Sequence, residues 1–323
     1  MITRVGKYEV QAELDRAACT RVYRGWDPSV GRAVALKLLA PEAGAEQARL
    51  FRQAAAAAAH LRHKNIATLY ELGEHNGVPY LAMELVEGES LPQWLAAART
   101  PSLLEKLLLL WQVGEALQGA GGVALDLRLE SILALPDGTV KLSAEPFGAV
   151  GWSELGSLYE QLLEGSERPP GLGRIMARLR EKDRELGYQS VEELQFDLEP
   201  ILVEAKRQRA GRLVEQARGL WAEGQWETAQ GLLREAVELE PGNREGRQLW
   251  ERVREQARRR GVEARLEKLL GEAGEAEGKR RWAEAVERLE VALRLAPDHA
   301  ALHGRLEQCR KRIEGSLRAA ALI

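Results

Sequence analysis

Apolar and polar residues alternate at the start of the chain in short runs that turn-forming residues separate. Three runs, at 8–14, 20–27 and 32–39, contain Val, Leu and aromatic residues, and the turn sequence DPSVG separates the second from the third. Short apolar runs bounded by turn residues are typical of β-strands. The pattern therefore predicts three neighbouring strands.

An Ala-rich segment, 43–61, follows these runs and predicts a helix. Two further apolar runs, 62–72 and 77–88, lie on either side of the turn sequence Asn76-Gly77, which predicts two more strands. Together these elements indicate an α+β lobe with about five strands and one helix.

From Leu91 to about Leu202 the pattern becomes mainly helical. The exception is SILALPDGTVKL at 131–142, which predicts a hairpin with a tight turn at Asp137-Gly138. The most apolar helical segment, 103–117, contains charged residues and is too short to span a bilayer. We therefore expect a buried helix there and no membrane partner.

The last third of the chain predicts helices almost throughout and repeats itself. Residues 224–243 align without gaps with residues 280–299, so that Trp226 matches Trp282 56 positions later. Apolar residues recur at steps of three and four in both copies, which predicts helices with one buried face. The segment between the copies predicts a longer helix or an extra helical unit, and Gly261 is the candidate position for a kink or break in it.

Composition limits the functional classes. A chain of 323 residues is long enough for two domains, and its net charge of −3 gives no reason to expect nucleic acid as a partner. Cys19 and Cys309 are too few for a disulfide framework, which favours a reducing compartment. The first ten residues contain no apolar stretch resembling a signal peptide. We expect a cytoplasmic protein.

Three stretches carry a resemblance to a known family. They are VALK at 34–37, LRHKNIATLYELGEHNGVPYLAMELVEGESL at 61–91 and PPGLGRIMARLREKDRELGYQSVEELQFDLEPIL at 169–202. The first two resemble the N-lobe of bacterial Ser/Thr protein kinases, and the third is similar to the last helices of the kinase C-lobe. The resemblance implies an α+β, two-lobed protein-kinase-like fold over residues 1–203. Its N-lobe would cover about 1–86, and its truncated C-lobe about 87–203.

The resemblance also assigns the residues of a nucleotide cleft. It places Lys37 at the lysine that pairs with the ATP phosphates, Met83 at the gatekeeper position, and Glu84 to Val86 at the hinge. Asp126 stands at the catalytic base position, although a structural role as acceptor for loop amides is the favoured interpretation. For Lys37, a side chain extending into solvent is an equally open alternative.

The phosphate-binding positions depart from the family pattern. Asp15, Ala17 and Thr20 stand where a kinase has the glycines that let backbone amides approach the phosphates. The carboxylate of Asp15 would also repel a polyphosphate. Ala54 occupies the position of the glutamate that normally pairs with Lys37, so the sequence offers this lysine no evident anionic partner.

The metal-binding positions depart as well. Arg128 replaces the lysine that contacts phosphate, and Ser131 replaces the metal-binding asparagine. Pro146 stands where the family has the metal-binding aspartate, and proline has no side-chain oxygen for Mg²⁺. A one-residue slip would offer Glu145 instead. We therefore predict no metal site.

The segment that positions a protein substrate is also missing. After Gly148 the sequence passes directly into an apparent central helix of the C-lobe, without the few tens of residues of an activation segment. Gly187 replaces the arginine that would pair with the glutamate of that segment.

These departures together predict a catalytically inactive member of the family, a pseudokinase. We expect a scaffold or allosteric partner in bacterial signalling rather than an enzyme, with no cofactor beyond possible weak binding of ATP without metal. The alternative is an atypical Ser/Thr protein kinase, or an ATP-binding switch with residual nucleotide binding.

Residues 204–323 resemble tetratricopeptide-type repeats, although their 56-residue spacing exceeds the ~34 residues of that repeat. The expected role of Trp226, Trp282 and the matched alanines Ala229 and Ala285 is packing between helices. The resemblance implies protein partners that bind the helical repeats and the kinase-like surface.

Overall fold

The computed structural model describes residues 3–17, 19–96, 101–143, 151–181, 183 and 185–320, with the backbone alone for 316–320. The chain forms two compact units, Met1–Lys206 (unit 1) and Arg207–Ile323 (unit 2). Within the described ranges, no helix combines the length and the apolar character that crossing a membrane requires.

Unit 1 begins with an antiparallel sheet of six strands in the order β1-β2-β3-β4-β6-β5. The strands are β1 (Arg4–Val5), β2 (Tyr8–Arg16), β3 (Thr20–Asp27), β4 (Arg32–Leu39), β5 (Leu69–His75) and β6 (Val78–Glu84), and helix α1 (Ala45–Ala58) lies between β4 and β5 in the chain. The α+β lobe predicted from the sequence is confirmed, with the short strand β1 as an addition.

Strand β4 lies between β3 and β6 and is buried on both faces. Leu36 packs into one cluster with Tyr80, whereas Ala35 packs on the opposite side with Phe51 of α1. Because successive side chains of a strand point to opposite faces, Lys37 falls on the same side as Ala35 and α1. The alternation of the strand thus fixes the direction of this lysine.

The rest of unit 1 is mainly helical. Its helices are α2 (Leu91–Ala96), α3 (Leu103–Gly119), α4 (Trp152–Leu162), α5 (Leu172–Arg180) and the first part of α6 (Val191–Ala222). A small sheet contains β7 (Glu89–Ser90), β8 (Leu133–Ala134) and β9 (Val140–Lys141). The predicted buried helix is confirmed as α3, whose start Ser102 and Glu105 fix by a capping box. The predicted hairpin is confirmed as β8–β9, with Gly138 at a φ of 82° in its turn.

Asn65 joins the sheet to the helical half of unit 1. Its buried Nδ2 donates hydrogen bonds to the carbonyl of Val140 at 2.8 Å and to Oε1 of Gln112 at 2.9 Å. The backbone N–H of Leu142 donates to the carbonyl of Asn65 at 3.0 Å. Since buried amides are held firmly by such bonds, these contacts set the position of β9 against the segment that leads into β5.

Unit 2 contains the rest of α6, followed by α7 (Trp226–Leu239), α8 (Arg244–Gly278), α9 (Trp282–Leu295) and α10 (Ala300–Ala320). Two separate apolar clusters hold these helices together. The first includes Ala229, Leu233 and Ala236 of α7, and the second includes Ala285, Leu289 and Ala292 of α9. The sequence repeat is therefore a repeat of packing positions, and the prediction that Ala229 and Ala285 are packing residues is confirmed.

The long spacing of the repeat has a simple structural cause. Helix α8 runs unbroken over 35 residues and contributes one end to each cluster. Gly261 lies inside it and marks no break, so the segment between the copies is one long helix rather than an extra helical unit.

The turns that precede α7 and α9 have the same backbone geometry but different residues. Gly224 has a φ of 79°, and Arg280, its equivalent, has a φ of 58°. The next residues, Gln225 and Arg281, have φ and ψ of −88° and 66°, and −89° and 67°. A left-handed backbone is unfavourable for any residue with a Cβ, so Arg280 is a strained position.

We predict that Arg280→Gly raises the free energy of unfolding of unit 2 by a few tenths to about 1 kcal/mol, because glycine adopts a positive φ without a steric penalty. The reciprocal control, Gly224→Ala, should lower it by a similar amount. Urea unfolding followed by circular dichroism measures both variants. A destabilising effect of Arg280→Gly would contradict this explanation of the turn.

Candidate functional site

A cleft of about 460 Å³ opens within unit 1 between the sheet and the loop that precedes β8. All five residues that the sequence predicts for the cleft, Lys37, Met83, Glu84, Val86 and Asp126, line it. They come from β4, from the end of β6 and the segment after it, and from the loop. The fold therefore brings distant parts of the sequence to one site.

The wall formed by the end of β6 combines an apolar residue with an ion pair. Met83 is buried and pairs with Ala35 in the sheet. The carboxylate of Glu84 lies 2.7 Å from Nζ of Lys141 on β9 and also accepts a hydrogen bond of 3.1 Å from the backbone N–H of Thr68. This pair ties the end of β6 to β9, and Lys141 lines the cleft as well. The sequence analysis did not identify Lys141.

Lys37 is a largely buried residue that lines the cleft, and its ammonium nitrogen is not among the fully buried polar atoms of the described residues. Its residue surface is 5% exposed, which excludes the alternative of a side chain extending into solvent. Among the described residues, none forms an ion pair or hydrogen bond with Lys37. Ala54 on α1 lines a small apolar pocket with Leu81 and Met83 instead of supplying a carboxylate. A cation that opens into a cleft and has no counterion among the described residues is available to an anionic ligand.

Asp126 is held by the side chain of Arg128. Oδ1 of Asp126 accepts hydrogen bonds from the backbone N–H and from Nε of Arg128 at 3.1 and 3.0 Å, and Oδ2 accepts one from Nη2 at 2.5 Å. Nη2 also donates to Oγ of Ser131 at 3.0 Å. Asp126 is 3% exposed, and its own N–H donates to the carbonyl of Ser143. Arg128 thus contacts both the carboxylate of Asp126 and the hydroxyl of Ser131, and we call this arrangement the clamp.

The clamp determines the charge of Asp126. Burial alone would raise the pKa of this carboxyl, but the hydrogen bonds from Arg128 and Ser131 outweigh burial and hold the pKa below its usual range. Asp126 is therefore a carboxylate at neutral pH. Because Asp126 is 3% exposed and held by Arg128, the guanidinium has to move before a substrate hydroxyl can reach the carboxylate.

The β2–β3 hairpin covers the cleft from the side of the sheet. Asp15 and Thr20 line the cleft, and the backbone N–H of Ala17 donates to the carbonyl of Thr20 at 2.9 Å. The carboxylate of Asp15 therefore faces the same space as the ammonium group of Lys37. The lining also contains the carboxylates of Glu84, Asp126 and Glu130, of which the first two are each paired with a cation.

The remaining predicted positions divide into two groups. Glu145, Pro146 and the Phe147-Gly148 pair lie outside the described residues. Gly187 is described, and its carbonyl accepts a hydrogen bond of 3.3 Å from Nη2 of Arg178 on α5. Arg178 also pairs with Glu193 and Asp197 of α6. Arg178 on α5 therefore makes the hydrogen bond and ion pairs around Gly187. The sequence analysis did not predict this role.

The comparisons with known proteins agree with this geometry. The model of the family described as protein tyrosine and serine/threonine kinase matches residues 8–144. The serine/threonine-protein kinase PknA of Mycobacterium tuberculosis is 36% identical over 152 residues, which cover 44% of this chain and 35% of PknA. PknL of the same species is 36% identical over 149 residues, which cover 45% of this chain and 37% of PknL. The chain thus spans little more than a third of the length of these curated relatives.

Solved structures show the same fold. The crystal structure of the M. tuberculosis PknI kinase domain matches with a TM-score of 0.53 and 21% identity, covering 61% of this chain and 97% of that domain. At this identity the match concerns the fold alone. The predicted two-lobed kinase-like fold, followed by a helical part, is confirmed.

Two predictions from the sequence are wrong. The relatives are named serine/threonine-protein kinases, which points to an enzyme and overturns the prediction of a non-enzyme. The prediction of no cofactor fails for the same reason, because kinases of this type use ATP together with a divalent metal ion. Counting substituted positions gave too much weight to single side chains.

The tetratricopeptide assignment of residues 204–323 stays a prediction, since unit 2 is established only as helical and internally repeated.

We predict that Arg128→Gln destabilises unit 1 at pH 7 by about 1–3 kcal/mol, because it leaves a buried carboxylate with fewer donors. Without the guanidinium, burial should raise the folded-state pKa of Asp126 above its unfolded value. In this variant the carboxyl binds a proton more readily in the folded state than in the unfolded state. The loss of unfolding free energy relative to the wild type should therefore shrink as the pH falls from 7 to 5.

Urea unfolding at both pH values measures this effect, with Arg16→Gln as the control at an exposed Arg–Glu pair. A loss that stays constant or grows on acidification would contradict the clamp. In the wild type the contribution of Asp126 to stability has the opposite pH dependence. Its depressed pKa gives stability that is lost only when the pH falls through the pKa of the folded state.

From its fold, its cleft and its relatives together, this chain contains a protein kinase-like domain followed by a helical region.

Proposed function

We propose that unit 1 is an ATP-dependent protein kinase of the Ser/Thr type with an atypical phosphate-binding wall. The observation that carries the proposal is the ammonium group of Lys37, which lines a cleft that also contains Asp126 and has no partner among the described side chains. The names of the relatives support the same class of reaction.

Each wall of the cleft suits one part of ATP. Val22, Ala35 and Met83 provide an apolar lining for the adenine, and the backbone of Glu84 to Val86 offers N–H and carbonyl groups for its edge. Lys37 would bind the phosphates, as a cation on the cleft lining that gains its counterion from the ligand.

Asp126 would act as the proton acceptor for a Ser or Thr hydroxyl. The hydroxyl oxygen forms a bond to the γ-phosphorus while the bond between that phosphorus and the β,γ-bridging oxygen breaks, which releases ADP. The hydroxyl proton passes to Asp126. For this step Arg128 has to release a carboxylate oxygen, and the γ-phosphate is the group that would attract its guanidinium.

The oxygen atoms that could hold a divalent ion lie under the same clamp. The carboxylate of Asp126 and the hydroxyl of Ser131 are oxygen donors of the kind that Mg²⁺ and Mn²⁺ accept, and both contact Arg128. The described residues contain no cluster of three or more His, Cys, Asp or Glu side chains suited to a metal. The ion would neutralise charge on the phosphates.

We predict that Lys37→Met weakens ATP binding by about tenfold to a hundredfold, because it removes the cation that faces the phosphates. Calorimetric titration of ATP in the presence of Mg²⁺ or Mn²⁺ measures the change. The control Lys64→Met removes an exposed lysine that pairs with Glu115 and should leave the affinity unchanged. No binding of ATP to the wild type at millimolar nucleotide would contradict the proposal.

We predict that Asp126→Asn retains ATP binding but lowers γ-phosphate transfer by at least about a hundredfold, because the amide accepts no proton. Radiolabelled transfer to the chain itself and to a basic protein measures it. Transfer that persists unchanged in Asp126→Asn would show that another residue is the base.

A further inference from the structure

Helix α6 exposes an apolar stripe on the side that faces away from the core of unit 1. Phe196 is 75% exposed and Val203 is 47% exposed, and Pro200 between them is exposed as well. Leu194, Leu198, Ile201 and Leu202 of the same helix are buried. The helix therefore has a second apolar face in addition to the one that its own unit covers.

The spacing of the exposed residues distinguishes them from isolated surface apolar groups. Phe196, Pro200 and Val203 follow one another at steps of four and three, which places them on one face of a helix. Pro200 has no N–H and so cannot donate to the carbonyl of Phe196. Single exposed apolar side chains are common, but a large aromatic group within a continuous stripe indicates a contact surface.

The charges on the stripe are arranged with opposite signs at its two ends. Glu192 lies near its start, Glu199 near its middle and Lys206 at its end, all on the same side of the helix. No ion pair within the described part of the chain engages Glu192 or Lys206. The stripe between them is about 21 Å long at ~1.5 Å per residue.

This arrangement is complementary to itself in one orientation. If a second copy lies antiparallel, with its two-fold axis between Glu199 and Pro200, Phe196 of one chain faces Val203 of the partner subunit. Glu192 then lies one residue from the position opposite the partner subunit's Lys206, within reach of its long side chain. The two copies of Glu199 meet near the two-fold axis, which is one unfavourable like-charge contact against two favourable contacts at the ends. A parallel arrangement would place like charges against each other at all three charged positions, which is less favourable.

We propose that the exposed stripe of α6 is a two-fold self-association surface that binds the same stripe of a second copy of this chain. Closed two-fold pairing uses one patch twice, and a self-complementary patch is what it requires. The apolar centre supplies the attraction and the charged ends set the antiparallel direction. Because only a few side chains take part, the dimer should be weak.

Sedimentation velocity of the full chain tests this over total concentrations from about 1 µM to about 1 mM, the Kd range of weak complexes. We expect a concentration-dependent dimer for the wild type, and a Kd at least tenfold weaker for Phe196→Glu. Val30→Glu introduces the same charge at a 64% exposed apolar residue of the β3–β4 turn and should leave the Kd unchanged.

A charge exchange tests the orientation. Glu192→Lys and Lys206→Glu should each weaken the dimer, and the double variant should restore it, because the pair then has reversed but still opposite charges. Glu192, Phe196 and Val30 are exposed and Lys206 is half-buried, and circular dichroism checks that each variant remains folded. A wild type that stays monomeric, a dimer insensitive to Phe196→Glu, or a double variant weaker than both single ones would overturn the proposal.

Discussion

The kinase-like half of this protein depends on the burial of strand β4 between β3 and β6 with both faces covered. Because side chains alternate between the two faces of this strand, Leu36 packs in one apolar cluster and Lys37 lies on the cleft side. The residue surface of Lys37 is 5% exposed. Among the described residues, no carboxylate compensates the ammonium group. The fold thus presents to the cleft a cation that a bound anion would pair with, and this is the strongest physical indication of what the cleft binds.

On the opposite wall of the cleft, the protein itself supplies the counterion of a charged group. There Asp126 is nearly inaccessible, and Arg128 neutralises it with two side-chain hydrogen bonds while also reaching Ser131. A closed pair of this kind is stable without a ligand, whereas Lys37 has no partner among the residues that the structure describes. One wall of the cleft therefore offers the ammonium group of Lys37 to an anion. On the other wall, Arg128 has to move before the carboxylate of Asp126 can act.

Much of the architecture follows from local sequence patterns. The strands and α3 were predictable because their apolar periods are regular and their ends carry turn or capping residues such as Asn76-Gly77 and Ser102. The clamp of Arg128, the Glu84–Lys141 pair and the approach of Arg178 to Gly187 were not, because each joins residues whose proximity only the tertiary fold determines. Comparison of two turns likewise exposed the strain at Arg280, which its sequence alone does not reveal.

The prediction of a non-enzyme failed because it treated each missing side chain as a missing function. Ala54 does leave Lys37 without the expected carboxylate, but the structure retains the burial and direction of the lysine. The position and direction of a side chain are properties of the fold, and they survive substitutions at neighbouring sites. Sequence comparison at individual positions cannot register them.

The central claim concerns the uncompensated charge of Lys37, and comparing ligands that differ only in phosphate tests it most directly. Titration calorimetry of the wild-type chain with adenosine, ADP and ATP separates the contribution of the phosphates from that of the base. The account predicts affinity that rises from adenosine to the phosphorylated ligands, with a gain that diminishes as salt is added. Equal affinity for adenosine and ATP would contradict it.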